Sequence, residues 1–158
     1  MKVSVITATW NSGKTLCTTL DSVLSQSYPD IEHIIVDGGS TDNTMEIVRE
    51  YEPRYNGRLR FISEPDKGLY DAMNKGIRMS TGEVVGILNS DDFYTSSDVV
   101  EKLEKISGIT SKNGRNDAKR LNIRVATVSN DDKPKNRKTQ RKADLRRRMV
   151  CKSLPVKE

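Results

Sequence analysis

Four short runs of β-branched and apolar residues, at 2–7, 31–37, 59–63 and 83–88, alternate with stretches whose apolar residues recur at helical spacing. Between the first two runs, residues 13–26 place Leu16, Leu20, Val23 and Leu24 along one side of a helix. Residues 42–52 do the same with Met45, Val48 and Tyr51. Leu69, Ala72, Met73 and Ile77 mark a third helix that stops near Thr81-Gly82. After the fourth run, Ser97 is placed to cap a helix carrying Val99, Val100, Leu103 and Ile106. Strands alternating with helices require right-handed crossovers, so the fold class is α/β with a parallel, Rossmann-like sheet.

Open sheets of this kind bind ligands beyond the carboxyl ends of their strands. The chemically distinctive residues fall there. Ala8-Thr9-Trp10-Asn11 follows the first run, and Asp37-Gly38-Gly39-Ser40 ends the second. Glu64-Pro65-Asp66-Lys67 follows the third, and Asn89-Ser90-Asp91-Asp92 follows the fourth. Two adjacent carboxylates at the end of a buried strand repel one another unless a cation, hydrogen bonds or a polar ligand stabilises them. A divalent metal carrying a phosphorylated ligand fits that requirement; a helix-capping loop is the plainer alternative.

Ala8 to Thr15 also fits a relaxed phosphate-loop pattern, with Ala in place of the first Gly and Lys14 before Thr15. The run His33-Ile34-Ile35-Val36-Asp37 then supplies a second, metal-holding strand. A P-loop phosphotransferase is therefore one alternative. It lacks the first glycine, and it leaves the loops at 37–42 and 89–92 without roles.

Five segments resemble family 2 glycosyltransferases of the GT-A fold. They are Val3-Ser4-Val5-Ile6-Thr7-Ala8-Thr9-Trp10-Asn11, Ser22-Val23-Leu24-Ser25-Gln26-Ser27, Val36-Asp37-Gly38-Gly39-Ser40-Thr41-Asp42, the segment at 66–76, and the segment from Thr81-Gly82-Glu83 through Asn89-Ser90-Asp91-Asp92. They occur in the family's order over about residues 1–104, and resemble most the enzymes that build bacterial surface polysaccharides. The resemblance implies metal-dependent transfer of a sugar from a nucleotide-diphosphate donor to an acceptor hydroxyl on a glycan or lipid, with inversion. Thr7, Ala8, Thr9 and Trp10 then border the base and ribose. Asp37 accepts hydrogen bonds from the base or ribose. Gly38 departs from members that carry a second acidic residue there. Lys67 neutralises diphosphate, while Asp71 and Asn74 help position the donor. Asn89, Ser90, Asp91 and Asp92 match the family's acidic motif, with Asn where many members have Asp. Asp91 faces the ribose or diphosphate and is a second candidate metal ligand; Asp92 binds Mg²⁺ or Mn²⁺.

The resemblance stops where the composition changes. Residues 1–104 hold 10 Lys+Arg and 17 Asp+Glu, whereas residues 105–158 hold 17 and 5, and all eight aromatic residues lie at or before Tyr94. The expected division is a nucleotide-sugar-binding part at 1–106 and a basic tail at 107–158, disordered or partly helical, with the half that carries the acceptor site and general base missing. Asp117, Asp131, Asp132 and Asp144 are acids available in the tail, but no motif assigns one as the base. A non-catalytic fragment whose tail (Lys133 to Lys142, then Arg146-Arg147-Arg148) binds nucleic acid or anionic membrane is the other alternative, with nucleic acid the less expected partner. Two cysteines, Cys17 and Cys151, suggest neither a disulfide framework nor a zinc site. With no 18-residue apolar run and no leader-like start, the expected location is the cytoplasm, with peripheral membrane contact through the tail.

Overall fold

The computed structural model describes residues 1–103 and 105. The readings of the tail, including its acidic residues, its basic clusters, Ile106 and Cys151, lie outside the described residues. The elements run β1 (Val3–Thr9), α1 (Leu16–Leu24), β2 (Ile31–Asp37), α2 (Thr44–Tyr51), a 3₁₀ turn (Glu52–Tyr55), β3 (Leu59–Ser63), α3 (Leu69–Met79) and β4 (Val84–Ile87). A last helix opens at 99, where the Lys102 amide bonds the Asp98 carbonyl, one residue later than a Ser97 cap requires. The 3₁₀ turn was not expected; Pro53 near its start and Asn56 in the left-handed region at its end explain it.

All strand pairs are parallel, in the order β3-β2-β1-β4. From β1 the chain steps outward through α1 to β2 and through α2 to β3. It then returns through α3 to place β4 on the other side of β1. Reversal of direction puts the helices on opposite faces. Leu16, Leu20, Val23, Ile47, Val48 and Tyr51 pack against Val3, Val5, Ile31 and Ile35 on one face. Ala72 and Ile77 pack with Ile6, Ile34, Val36 and Val85 on the other. Gly76 lets α3 lie directly on the sheet, since a Cβ there would stand 2.4 Å from Ile6 Cγ2.

The central strands are buried along their whole length, so their polar residues must be paired internally. Ser4 Oγ donates to Glu32 Oε1 at 2.6 Å, and Thr9 Oγ1 donates to Asp37 Oδ1 at 3.0 Å. Between them, Thr7 Oγ1 lies 2.9 Å from His33 Nε2, and His33 Nδ1 lies 3.0 Å from the Tyr55 hydroxyl. Tyr55 donates its own proton to the Leu20 carbonyl at 2.7 Å, so it must accept from His33. The imidazole therefore carries its proton on Nδ1 and accepts from Thr7 at Nε2. Complete burial pulls its pKa from the ordinary 6.5 to about 3, keeping it neutral.

Candidate functional site at the carboxyl edge

The chain steps outward from β1 to β3 and then returns to place β4 on the other side of β1, so the crevice between the carboxyl ends of β1 and β4 is the topological switch point. Register pairing carries β1 through Thr9, opposite Asp37, two residues beyond the expected end of the strand. Strand alternation then sends Thr7 into the core beside His33, where it is fully buried. Ala8 packs with the α3-side cluster. Trp10, the first residue past the strand, is 70% exposed, which removes core packing as its role.

Asp37 is fully buried and accepts five hydrogen bonds. Thr9 Oγ1 and Ser40 Oγ reach Oδ1; the Gly39 amide, the Ser40 amide and Ser63 Oγ reach Oδ2. Burial raises its pKa, but the bonds from Ser40, Ser63 and Thr9 outweigh burial and hold it below the ordinary 3.8. Its oxygens tie β1, β2 and β3 to the following turn, so its geometry is that of a support.

The loop after β1 is likewise engaged internally. Asn11 adopts φ 49, a left-handed conformation Asn tolerates, and its side-chain oxygen accepts from the Thr41 amide at 2.9 Å. The amides of Trp10, Asn11, Ser12, Gly13 and Thr15 go to Ser12 Oγ, Ser40 Oγ, Thr44 Oγ1, Asp42 Oδ2 and the Ser12 carbonyl. A phosphate loop works by aiming such amides at an anion. Here they have protein acceptors, one of them a carboxylate, and Lys14 points to solvent. The P-loop alternative has no geometric support.

The acidic loop after β4 is mounted on α1. Thr19, fully buried, donates through one hydroxyl to the Ser90 carbonyl at 3.0 Å and the Asp92 carbonyl at 2.8 Å. Ser12 Oγ donates to Ser90 Oγ at 2.9 Å. One helical stretch further on, Gln26 donates to the Ser96 carbonyl at 2.8 Å and accepts the Val100 amide at 3.1 Å. Within the loop, the Asn89 amide donates to Asp92 Oδ2 at 3.0 Å. Asp92 is nearly buried, whereas Asn89 and Asp91 are exposed. The clamp presents one carboxylate to solvent and steadies its neighbour.

The loop after β3 closes the other flank. Asp71, in the first turn of α3, accepts the Lys67 amide at 3.1 Å and pairs with Lys75 Nζ at 3.7 Å. Lys75 also meets Glu64 Oε1 at 2.9 Å. Asp71 thus shapes the loop, and Lys67 and Asn74 are exposed beside it. Asp66, given no role by the sequence, lies against Gly38: a Cβ on Gly38 would stand 2.6 Å from Asp66 Oδ2.

A cavity of about 370 Å³ opens at the opposite, amino edge, lined by Lys2, Asp30, Glu32, Arg58, Arg60 and Thr81. Two of its cations, Lys2 and Arg60, are matched by Glu32, and Arg58 Nε donates to the Tyr55 carbonyl at 3.2 Å. Glu32 Oε2 lies 3.1 Å from Lys2 and 3.7 Å from Arg60. Burial raises the Glu32 pKa, but bonds from Ser4, Thr81 and Lys2 outweigh it and hold it at about 2. This is a structural cluster remote from the switch point.

The geometry of the carboxyl edge agrees with what the chain resembles. The family model for glycosyl transferase family 2 matches residues 4–149. The chain belongs to that family. The PGL/p-HBAD biosynthesis glycosyltransferase of Mycobacterium bovis (strain BCG / Pasteur 1173P2) is 36% identical over 105 residues, covering 66% of this chain and 41% of the relative. An uncharacterized glycosyltransferase of Mycobacterium tuberculosis (strain CDC 1551 / Oshkosh) is 43% identical over 108 residues, covering 67% of this chain and 40% of its own. Among solved structures, Staphylococcus aureus TarS 1-349 in complex with UDP-GlcNAc matches with a TM-score of 0.59 at 27% identity, over 73% of this chain and 36% of that one. The mannosyltransferase PcManGT from Pyrobaculum calidifontis, in complex with GDP-Man and Mn²⁺, matches with a TM-score of 0.62 at 30% identity, over 66% and 31%. This family 2 chain therefore spans about two-fifths of the length of the curated relatives it matches. The match to the family model runs past 104, where the recognisable motifs end.

Among the described residues, no three His, Cys, Asp or Glu side chains form a cation cage. Asp91 and Asp92 alone fit a hard cation only if the remaining ligands are phosphate oxygens and water, which is how Mg²⁺ is usually held. Sequence reasoning missed Thr19 and Gln26. Their signal was a polar series at helical spacing, Thr19 and Ser22 on the otherwise apolar inner side of α1 and Gln26 just past its end.

Proposed function

We propose that the carboxyl edge binds the nucleoside diphosphate of a nucleotide-sugar donor, as the donor half of an inverting glycosyltransferase. The observation that carries the reading is the acidic loop, held by Thr19 and Ser12 at the switch point with Asp91 exposed. Similarity to TarS in complex with UDP-GlcNAc and to PcManGT in complex with GDP-Man and Mn²⁺ supports it. Trp10 offers an exposed aromatic face for the base. Lys67 supplies positive charge for the diphosphate, with Asn74 on the same flank. Thr9 and Asp37 act from beneath, by fixing the turn at 38–40. Asp91 and Asp92 would hold Mg²⁺ or Mn²⁺, which stabilises negative charge developing on the leaving diphosphate. The acceptor hydroxyl would attack from the opposite side of the sugar and needs a base, for which no described residue is assigned.

Calorimetric titration of the full chain with UDP and with GDP tests this reading. Binding of at least one in the presence of Mn²⁺, weakened by chelation, is the expected result. Absence of binding for both, with and without Mn²⁺, would overturn it.

A further inference from the structure

We propose that the cavity at the amino edge binds a phosphate monoester, held by Arg58, Arg60 and Lys2. The site is independent of the donor reading, because the seven residues of β1 separate the two edges of the sheet by about 20 Å. Three cations line the cavity, and one buried carboxylate, Glu32, serves two of them. Arg58 is left over. Its Nη1 and Nη2 have no partner among the described residues, and Asp30, the other acid lining the cavity, forms no ion pair there with any of the three. Like charges gathered in one cavity repel one another unless an anion joins them.

The donors are held in place in advance. The Arg58 carbonyl accepts the His33 amide at 2.8 Å, its amide donates to the Tyr55 carbonyl at 3.1 Å, and Nε donates to the same carbonyl at 3.2 Å. That last bond steadies the guanidinium and leaves its outer pair of nitrogens for a bidentate contact with phosphate. Arg60 follows two residues later and lines the same cavity; its Nη1 donates to the Met79 carbonyl at 2.7 Å, and Nη2 is unused among the described residues. Lys2 Nζ meets Thr81 Oγ1 at 2.7 Å and Glu32 Oε2 at 3.1 Å, so one of its three N–H groups remains. Charge then sets the ligand. Three cations less the Glu32 carboxylate leave two positive charges, which a single phosphate of about −1.5 to −2 neutralises. Asp30, exposed on the rim, opposes a polyanion. The volume of about 370 Å³ lies within the range of about 300–1,000 Å³ for small-molecule sites, so the organic part of the ester fits beside the phosphate. A soluble ester and a lipid headgroup offer the same phosphate chemistry.

The test titrates the full chain separately with glucose 6-phosphate and with phosphatidylcholine vesicles that contain or lack phosphatidic acid, with EDTA present to exclude metal-dependent binding at the carboxyl edge. Amide NMR shifts that saturate with glucose 6-phosphate and centre on residues 2, 30–32, 57–60 and 81 are the expected result. Arg58→Ala is expected to weaken this binding roughly tenfold or more, the range for a charged hydrogen bond. Arg58→Lys, which keeps the charge but not the fork, is expected to recover only part of the loss. Asp30→Asn alters the charge balance without touching a ligating group and is expected to tighten binding by about twofold or more. Vesicle sedimentation that requires phosphatidic acid and is lost in Arg58→Ala assigns the phosphate to a lipid headgroup; binding of the soluble ester alone assigns it to a free metabolite. Shifts confined to residues 106–158, unchanged affinity in Arg58→Ala, weaker binding in Asp30→Asn, or no saturable binding of either probe would overturn the proposal.

Discussion

Asp37 and Asp91 stand at the carboxyl ends of two strands of one sheet, both in motifs that resemblance assigns to the donor, yet their surroundings are opposite. Asp37 is sealed under the turn at 38–40 with five donors on its two oxygens. Asp91 is exposed on a loop whose backbone, rather than its carboxylate, is fastened to α1. The loops after β1 and β2 satisfy their polar groups among themselves. Those after β3 and β4 keep carboxylates facing outward. The same residue type is thus a sealed support on one side of the edge and an exposed carboxylate on the other, and hydrogen-bond satisfaction distinguishes them.

The largest expected effect comes from breaking the support. Asp37→Ala leaves three hydroxyls and two amides without their shared acceptor and should cost about 3 kcal/mol or more in chemical denaturation. Asp91→Ala should change stability by no more than about 0.5 kcal/mol while weakening Mn²⁺-dependent nucleotide binding by roughly tenfold or more. Equal destabilisation by the two variants would erase the distinction between the regions.

An intermediate effect is expected at the mount. Thr19→Val keeps the volume but strands two carbonyls, and should cost about 1–3 kcal/mol while loosening the acidic loop. Thr19→Ser should restore most of both losses. Recovery of stability without recovery of nucleotide affinity would show that Thr19 does not position the loop.

Acid should act on the core between the two edges. His33 binds its proton near pH 6.5 when unfolded but only near pH 3 when folded, so protons favour the unfolded chain between these values. Stability from this group is complete above about pH 6.5 and falls towards pH 3, by up to about 1.4 kcal/mol per pH unit. Glu32, ordinarily near 4.5 and held at about 2, adds a loss of the same sign below pH 4.5. Denaturant midpoints measured from pH 7 to pH 4 check the slope, which a neutral replacement at His33 should flatten.

The smallest effect is predicted at Lys14. Lys14→Ala should leave nucleotide affinity unchanged and stability within about 0.5 kcal/mol, because the loop's amides are bonded to protein. Loss of nucleotide binding in this variant would revive the phosphate-loop reading.

Hydrophobic period and glycine placement made all four strands and the first three helices legible, because parallel strands buried on both faces read as near-continuous apolar runs. The apolar run at 2–7 stops short of Ala8 and Thr9, which lie in β1, where the Thr9 hydroxyl is satisfied inside the sheet by Asp37. The four edge loops were legible as a group. Their division into supports and presented groups was not, since it depends on contacts between distant residues. Asp66 meets Gly38 across the sheet edge, and Thr19 meets the Asp92 carbonyl 73 residues away. Chain spacing carries no trace of either meeting.

Paramagnetic broadening by Mn²⁺ in amide NMR spectra of the full chain with bound UDP or GDP tests the central claim most directly. Broadening centred on residues 89–93, extending to 10–12 and 66–68, and abolished by Asp91→Ala, is the predicted result. Broadening centred instead on the amino-edge cluster of Lys2, Glu32 and Arg60, or on residues 106–158, would contradict the assignment of donor binding to the carboxyl edge.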